Sequence, residues 1–386
     1  MPIPHFCPNP SCRNHTDPPH QWRIRYGSYT TRAHGDVQRY QCRACGSTMS
    51  DQTESLHYFA KRRLPLKAVT DTFCSGASLR EIARRYHVSP MAVQNGLLRI
   101  GRQAMAAQLH LLASMNERSH LVFDGLRSCV TSQDYPCDIT TVVDAAGETI
   151  LTMTHSVFTR GGRKTRKQER RTRLKYRVWR PEPGSVSRDI SLLVNELWDY
   201  LRPKGTRGVL IDTDEHPLYL PALKRNPVAR HFATAGLLTH RRTPGSAPRT
   251  IQNPLFPVNY VDRLVRHRVK EHMRETIALG RNSTMQMHRA WIFAWDHNVR
   301  REYRVRRPNE GAHAVQGTID RASTDLLCRE FFRRRLRIRG LQVPESIRRV
   351  WLGELPTPPV RWRGTGQHGT NIRIPRYAER ELPAAA

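Results

Sequence analysis

Along the chain the apolar positions change period several times, and each change marks a change of structure. Trp22-Arg23-Ile24-Arg25-Tyr26 alternates, Gly35-Asp36 supplies a turn, and Val37 to Gln41 alternates again, so the N-terminal region reads as a β-hairpin. From Pro65 the spacing becomes helical. Leu66, Val69 and Phe73 form one stripe, Gly76 interrupts it, and Leu79, Ile82, Ala83 and Tyr86 form a second. Ser78-Leu79-Arg80-Glu81 has the form of a capping box. His87-Val88 makes a short turn, and Ser89 with Pro90 opens a third helix whose Val93, Leu97 and Ile100 face inward. Met105 to Met115 continues as a helical linker.

Beyond the linker, strands dominate. His120-Leu121-Val122-Phe123 predicts a strand ending at Asp124. Ile139 to Val143 predicts a second and, after the turn Asp144-Ala145-Ala146-Gly147, Thr149 to Thr154 a third. A helix with Ile190, Leu193, Val194, Leu197 and Leu201 on one face follows. Gly208-Val209-Leu210-Ile211 is then a buried-strand run ending at Asp212-Thr213-Asp214, His231-Phe232-Ala233 predicts a fifth strand, and a long helix begins near Val261. Trp291, Phe293 and Trp295 are expected to pack that helical region against the sheet. Three antiparallel strands, then helix and strand in alternation, give an α/β class of RNase H-like order: a mixed sheet with helices.

Charge alters the picture more than composition does. Among 386 residues, 64 Lys and Arg face 33 Asp and Glu, a formal net charge of +31, and only eight of the basic residues are lysine. Such a field attracts polyanions, with nucleic acid the expected partner. Arginine's planar fork suits bidentate contacts to phosphate and guanine, although a GC-rich coding sequence also favours arginine over lysine. No stretch approaches the ~20 apolar residues that cross a bilayer, and Met1 to Cys12 has no signal-peptide core. The expectation is a cytoplasmic, nucleoid-associated protein with no membrane partner.

In a reducing compartment a tight cysteine cluster points to metal. Cys7 and Cys12 are separated by four residues and Cys42 and Cys45 by two, with 29 residues between the pairs. Two such pairs joined by a hairpin form a zinc ribbon, in which four thiolates surround one structural Zn²⁺ and leave no open position for water. His15 and His20 stand as alternative ligands. Cys74, Cys129, Cys137 and Cys328 read as ordinary thiols. The three helices that follow read as a helix-turn-helix, the third entering a major groove. Met91, Gln94 and Asn95 are its candidates for base contacts, Arg99 and Arg102 for phosphate.

Three acids stand out on the strand and helix pattern: Asp124, Asp214 and Asp262. Asp212 competes with Asp214, because residues two apart share one side of a strand. Glu271 and Glu275 are weaker competitors, lying ~180° and ~220° around an ideal helix from Asp262. The stretches Val122-Phe123-Asp124-Gly125, Thr213-Asp214-Glu215-His216-Pro217-Leu218-Tyr219, and Val261-Asp262-Arg263-Leu264 through Arg274-Glu275-Thr276 and Gly280-Arg281-Asn282 resemble the signature blocks of bacterial insertion-sequence transposases of the DDE/DDD type. With the cysteine and helical modules ahead of them, the resemblance covers roughly residues 5 to 300.

That resemblance implies a transposase that binds the terminal repeats of a mobile element and catalyses Mg-dependent DNA cleavage and strand transfer. Asp124, Asp214 and Asp262 would bind Mg²⁺ or Mn²⁺, and the protein would act on double-stranded DNA as at least a dimer. The third position departs from the pattern by carrying aspartate where glutamate is usual. The alternative is a transposase-derived DNA-binding regulator without catalytic activity.

Arg160 to Arg180 contains eleven Lys and Arg against Glu169 alone. It reads equally as a solvated loop and as a phosphate clamp, with Tyr176 and Trp179 expected to pack. His240-Arg241-Arg242 and the stretch to Pro257 read as an exposed connection, Asp325 to Arg335 as a basic helix, and the chain beyond Pro356 to Pro359 as a mobile tail. The domain division is therefore a zinc ribbon over 1–55, a helix-turn-helix over 60–108, an RNase H-like catalytic domain over 116–303 with a basic insertion at 160–188, and a basic C-terminal extension over 304–386.

Overall fold

The computed structural model describes residues 5–115, 119–200, 208–274, 276, 278–307, 310–317, 319–360, 372 and 374–382. Leu201 and Glu275 lie outside them. The fold is mixed α/β. Strands β1 (Arg23–Thr31), β2 (Gly35–Cys42) and β3 (Thr48–Ser50) form a small antiparallel sheet beside the cysteine pairs. Helices α1 (Leu66–Cys74), α2 (Leu79–Arg85) and α3 (Pro90–Ala113) follow. The capping box forms as its sequence requires, Ser78 accepting from Glu81 N while Glu81 accepts from Ser78 N. Ser89 caps α3 through Ala92 N, with Pro90 at the first helical position.

The main sheet has six strands: β4 (His120–Cys129), β5 (Pro136–Asp144), β6 (Ile150–Met153), β7 (Ser156–Val157), β8 (Val209–Asp214) and β9 (Leu238–Thr243). Its order is β6-β5-β4-β8-β9, with β7 paired to β5. β4, β5 and β6 are antiparallel, whereas β8 runs parallel to β4 and β9 parallel to β8.

Helices α4 (Arg166–Val178), α5 (Ser185–Tyr200), α6 (Tyr219–Arg225) and α7 (Pro227–Thr234) are interleaved with these strands. After them come α8 (Phe256–Arg268), α9 (Ser283–Trp295), α10 (His313–Gly317), α11 (Arg321–Glu330), α12 (Glu345–Trp351) and α13 (Arg376–Glu381). Because side chains alternate along a strand, the sheet has two buried faces. One carries Leu121, Phe123, Val142 and Ile211 against α5, α6 and α7; the other carries Val122, Leu126, Ile139 and Val143 in the core shared by α3, α8 and α9.

Several segments differ from their sequence expectations. The first strand runs on to Cys129, placing Asp124 in its middle. His231-Phe232-Ala233 is helical: Asn226 accepts from Ala229 N and Pro227 opens the turn, start signals that outweigh the short apolar run. The fifth strand is instead β9, whose His240-Arg241-Arg242 had the composition of a loop. It is an edge strand, where charge discourages further pairing. The basic run is also ordered, as α4. Helix α3 continues without a break through the expected boundary at residue 108, and the C-terminal segment packs back on it through Phe331, Ile338, Val350 and Trp351. Gln103 on α3 donates to the carbonyls of Phe331 and Arg334, both at 2.8 Å. No described helix is long and apolar enough to cross a membrane.

Candidate functional site

The register of the parallel pair builds the site. Phe123 lies opposite Thr213, so Asp124 and Asp214, the next residue on each strand, stand side by side on one face of the sheet, a strand spacing of ~4.8 Å apart. Helix α8 packs over that face with Val258, Val261 and Val265 buried, which brings Asp262, beside Val261, to the same place. Residues far apart in sequence thus meet because a parallel register and a helix docking converge.

The three acids receive little compensation. Burial, followed by the charge of Asp214, pushes the Asp124 carboxyl up to about 6. Burial and then the charge of Asp124 push Asp262 well above the usual carboxylate range. Asp262 Oδ1 is buried and has no hydrogen-bond partner among the described residues. Asp124 and Asp214 accept only local backbone donors, Gly125 N at 2.7 Å and His216 N at 2.9 Å. Arg266, one turn beyond Asp262, directs its donors to the carbonyls of His272 and Arg127, at 3.2 and 3.1 Å. Unpaired carboxylates facing one another, one with an orphaned oxygen, are a donor set suited to hard divalent cations. The ligand atoms of the three are spread more widely than those of the cysteines: among the described residues, only the four cysteines bring theirs within 4.8 Å of one another.

Asp212 is engaged elsewhere. His120 Nε2 lies 2.6 Å from Oδ2, and Arg241 makes a bidentate pair at 2.6 and 2.7 Å. Burial alone would raise this carboxyl, but these donors hold it below its ordinary value. Glu271 is not on the helix of Asp262, which ends at Arg268. It sits in a following 3-10 turn, buried, and makes a bidentate pair with Arg289. The helical-wheel comparison therefore does not apply to Glu271, whose charge is neutralised by Arg289.

A fourth acid was missed. Asp138 on β5 lies on the opposite face, folded over Gly125, where a Cβ would come within 2.6 Å of its Oδ1. It pairs with Arg127 at 3.1 Å, and its charge contributes to raising both Asp124 and Asp262. The small residue directly after Asp124 was the available signal. Tyr219, also buried, is raised by burial and by the surrounding aspartates, Asp124 foremost.

In the N-terminal module Cys7, Cys12, Cys42 and Cys45 form a cluster able to hold a structural metal such as zinc. The left-handed Gly46 closes the second pair's turn. His15 is not a competitor: it accepts from Arg337 at Nε2 and meets Cys7 O at 2.6 Å through Nδ1.

The helix-turn-helix residues divide. Met91 and Asn95 are exposed in the first turns of α3. Gln94 and Arg102, expected at DNA, are interior. Gln94 accepts from Arg289 at 2.9 Å, and Arg102 directs Nε to Trp351 O. Arg99 donates to the carbonyls of Leu56 and Tyr58 at 3.2 and 2.6 Å. The reason is that α3 is wrapped on several sides by α9 and the C-terminal segment, which sequence periodicity does not reveal. The chain matches no protein-family model and no curated protein sequence.

Proposed function

We propose that the chain cuts and rejoins DNA by divalent-metal-dependent phosphoryl transfer, as a transposase of the DDE/DDD type, with Asp124, Asp214 and Asp262 as its acid set. The observation that carries this reading is the convergence of three sequence-distant aspartates on one sheet face, with a buried oxygen of Asp262 left unpartnered. The strand order supports it: three antiparallel strands followed by two parallel to the first is the arrangement expected of an RNase H-like core. A helix-turn-helix with an exposed, basic leading edge supports a duplex-DNA partner.

Two Mg²⁺ or Mn²⁺ ions held there would polarise the phosphodiester and activate the attacking oxygen. Asp124 and Asp214 set the ligand spacing through adjacent, rigid strands. Asp262, one methylene shorter than the usual glutamate, depends on the close packing of α8. At mildly acidic pH Asp124 holds a proton that it must release for a cation to bind. The cysteine module acts structurally, as a zinc ribbon, and a dimer brings two DNA ends together.

The test is incubation of the protein with linear DNA carrying the sequences that flank its gene, with Mg²⁺, followed by analysis for cut or joined strands. Alanine at any of the three aspartates should abolish products while leaving DNA binding. Binding without products in the wild type would instead make the chain a DNA-binding regulator without chemistry, and full joining by Asp262→Ala would remove Asp262 from the site.

A further inference from the structure

Between the cysteine module, the first half of α3 and the C-terminal helix α13 lies a cleft of about 1190 Å³, larger than the roughly 300–1,000 Å³ of small-molecule pockets. Its described lining carries nine Lys and Arg but one acid, Glu381, which meets Arg335 at 3.2 Å. Two guanidiniums in it keep buried donors without acceptors. These are Nη2 of Arg102, a residue 3 % exposed, and Nε and Nη1 of Arg335, whose side chain is 10 % exposed. A buried guanidinium without an acceptor keeps its positive charge uncompensated, which adds to the potential that draws an anion into the cleft.

Aromatic rings accompany the charge. Phe59 is 77 % exposed and has a φ of 51°, a left-handed conformation that bulky residues seldom adopt. Its strain brings little burial in return, a combination that points to a functional position. Arg99 holds the turn that presents it, through the carbonyls of Leu56 and Tyr58. Tyr58 meets Phe59 edge-on at 4.5 Å, and the Arg335 guanidinium lies 3.8 Å from the Tyr377 ring.

We propose that this cleft binds single-stranded DNA, with phosphates on the exposed Arg376 and Arg380 and an unstacked base on Phe59. Guanidinium groups and exposed rings together are the elements of a single-strand platform. A duplex hides its base faces by stacking and offers Phe59 no ring to stack on. The choice of DNA over RNA rests on the functional reading above; the cleft does not depend on the aspartates.

Fluorescence anisotropy tests this with the full chain and no added divalent cation. The probes are a labelled DNA strand of about 12 nucleotides, the same strand as RNA, and its blunt duplex. Phe59→Ala should weaken single-strand binding about ten-fold and leave duplex binding unchanged. Arg376→Ala with Arg380→Ala, both exposed, should lower the slope of log affinity against log salt by about 1.4. Arg80→Ala with Arg84→Ala, on the helix-turn-helix, should show the opposite selectivity. Single-strand affinity unchanged in both cleft variants overturns the proposal, as does an RNA preference of ten-fold or more. Cleft-dependent binding by a protein that never cuts DNA upholds the cleft and removes the catalytic reading; cutting with no cleft effect does the reverse.

Discussion

Asp262 and Asp124 are held in a state that water would not favour, and their chemistry follows from that. For an acid whose carboxyl is raised in the folded protein, the native state binds more protons than the unfolded chain between the two pKa values. Asp124 moves from 3.8 to about 6. Its contribution to stability is therefore favourable at low pH and is lost as pH rises through about 4 to 6, by up to about 3 kcal/mol. The groups acting on it are Asp214 and Asp138, which raise it, and the Gly125 N–H and Arg249, which lower it. A divalent cation should reverse the loss, so the rise in melting temperature on adding Mn²⁺ should be small at pH 5 and larger at pH 7.5. A shift independent of pH would place the cation elsewhere. Asp262→Asn keeps the shape and removes the buried charge: it should melt higher than the wild type without divalent cation and lose most of the Mn²⁺ response.

Among the elements, α4 is held by a capping box, a buried acid and aromatic packing. Its run of like charge opposes helix formation, yet Thr165 and Gln168 make a capping box, and Asp134, fully buried on the β4–β5 connection, gathers Arg160, Arg171, Lys175 and Thr172. Tyr135 packs against Tyr176 and Trp179 beneath. The exposed face still presents Arg166, Lys167, Arg170, Arg173 and Arg177. Removing one partner of a buried ionic group costs about 3–5 kcal/mol. Asp134→Ala should accordingly free α4 to trypsin in limited proteolysis while β4 and β5 stay protected. Equal protection in both proteins would mean that aromatic packing alone orders the helix.

For the whole molecule, α3 is the spine. Its first turns belong to the helix-turn-helix, its middle binds the C-terminal segment through Gln103, and Gln108 near its end donates to Ile150 and Leu151 of β6. Arg289 on α9 ties Gln94 of α3 to Glu271, just beyond the helix of Asp262, so α3 and the acid-bearing elements share one buried network. A fragment of residues 60–108 would expose most of that helix's buried face, and it should show no dispersed amide spectrum by NMR. A well-folded fragment would support the independent domain that the sequence implied. The cysteine cluster should bind one zinc per chain by elemental analysis, and Cys42→Ser should abolish it.

Local signals were legible wherever the chain's own neighbours decide the outcome. The capping box at Ser78 and the Ser89-Pro90 start need only contacts within a few residues, and they emerged as expected. Asp124, Asp214 and Asp262 stand out in the sequence one by one, but their approach to one another depends on the β4–β8 register and the docking of α8, contacts far apart along the chain. Tertiary structure decided the rest. Nothing near Arg102 in sequence announces that Trp351 will cover it, nothing near Asp212 that Arg241 will neutralise it across β8 and β9, and nothing in the charge run that Asp134 will order it. Helical and strand periods report which face of an element is apolar. They do not report how many other elements will compete for it, because burial and charge pairing are set by contacts between residues far apart along the chain.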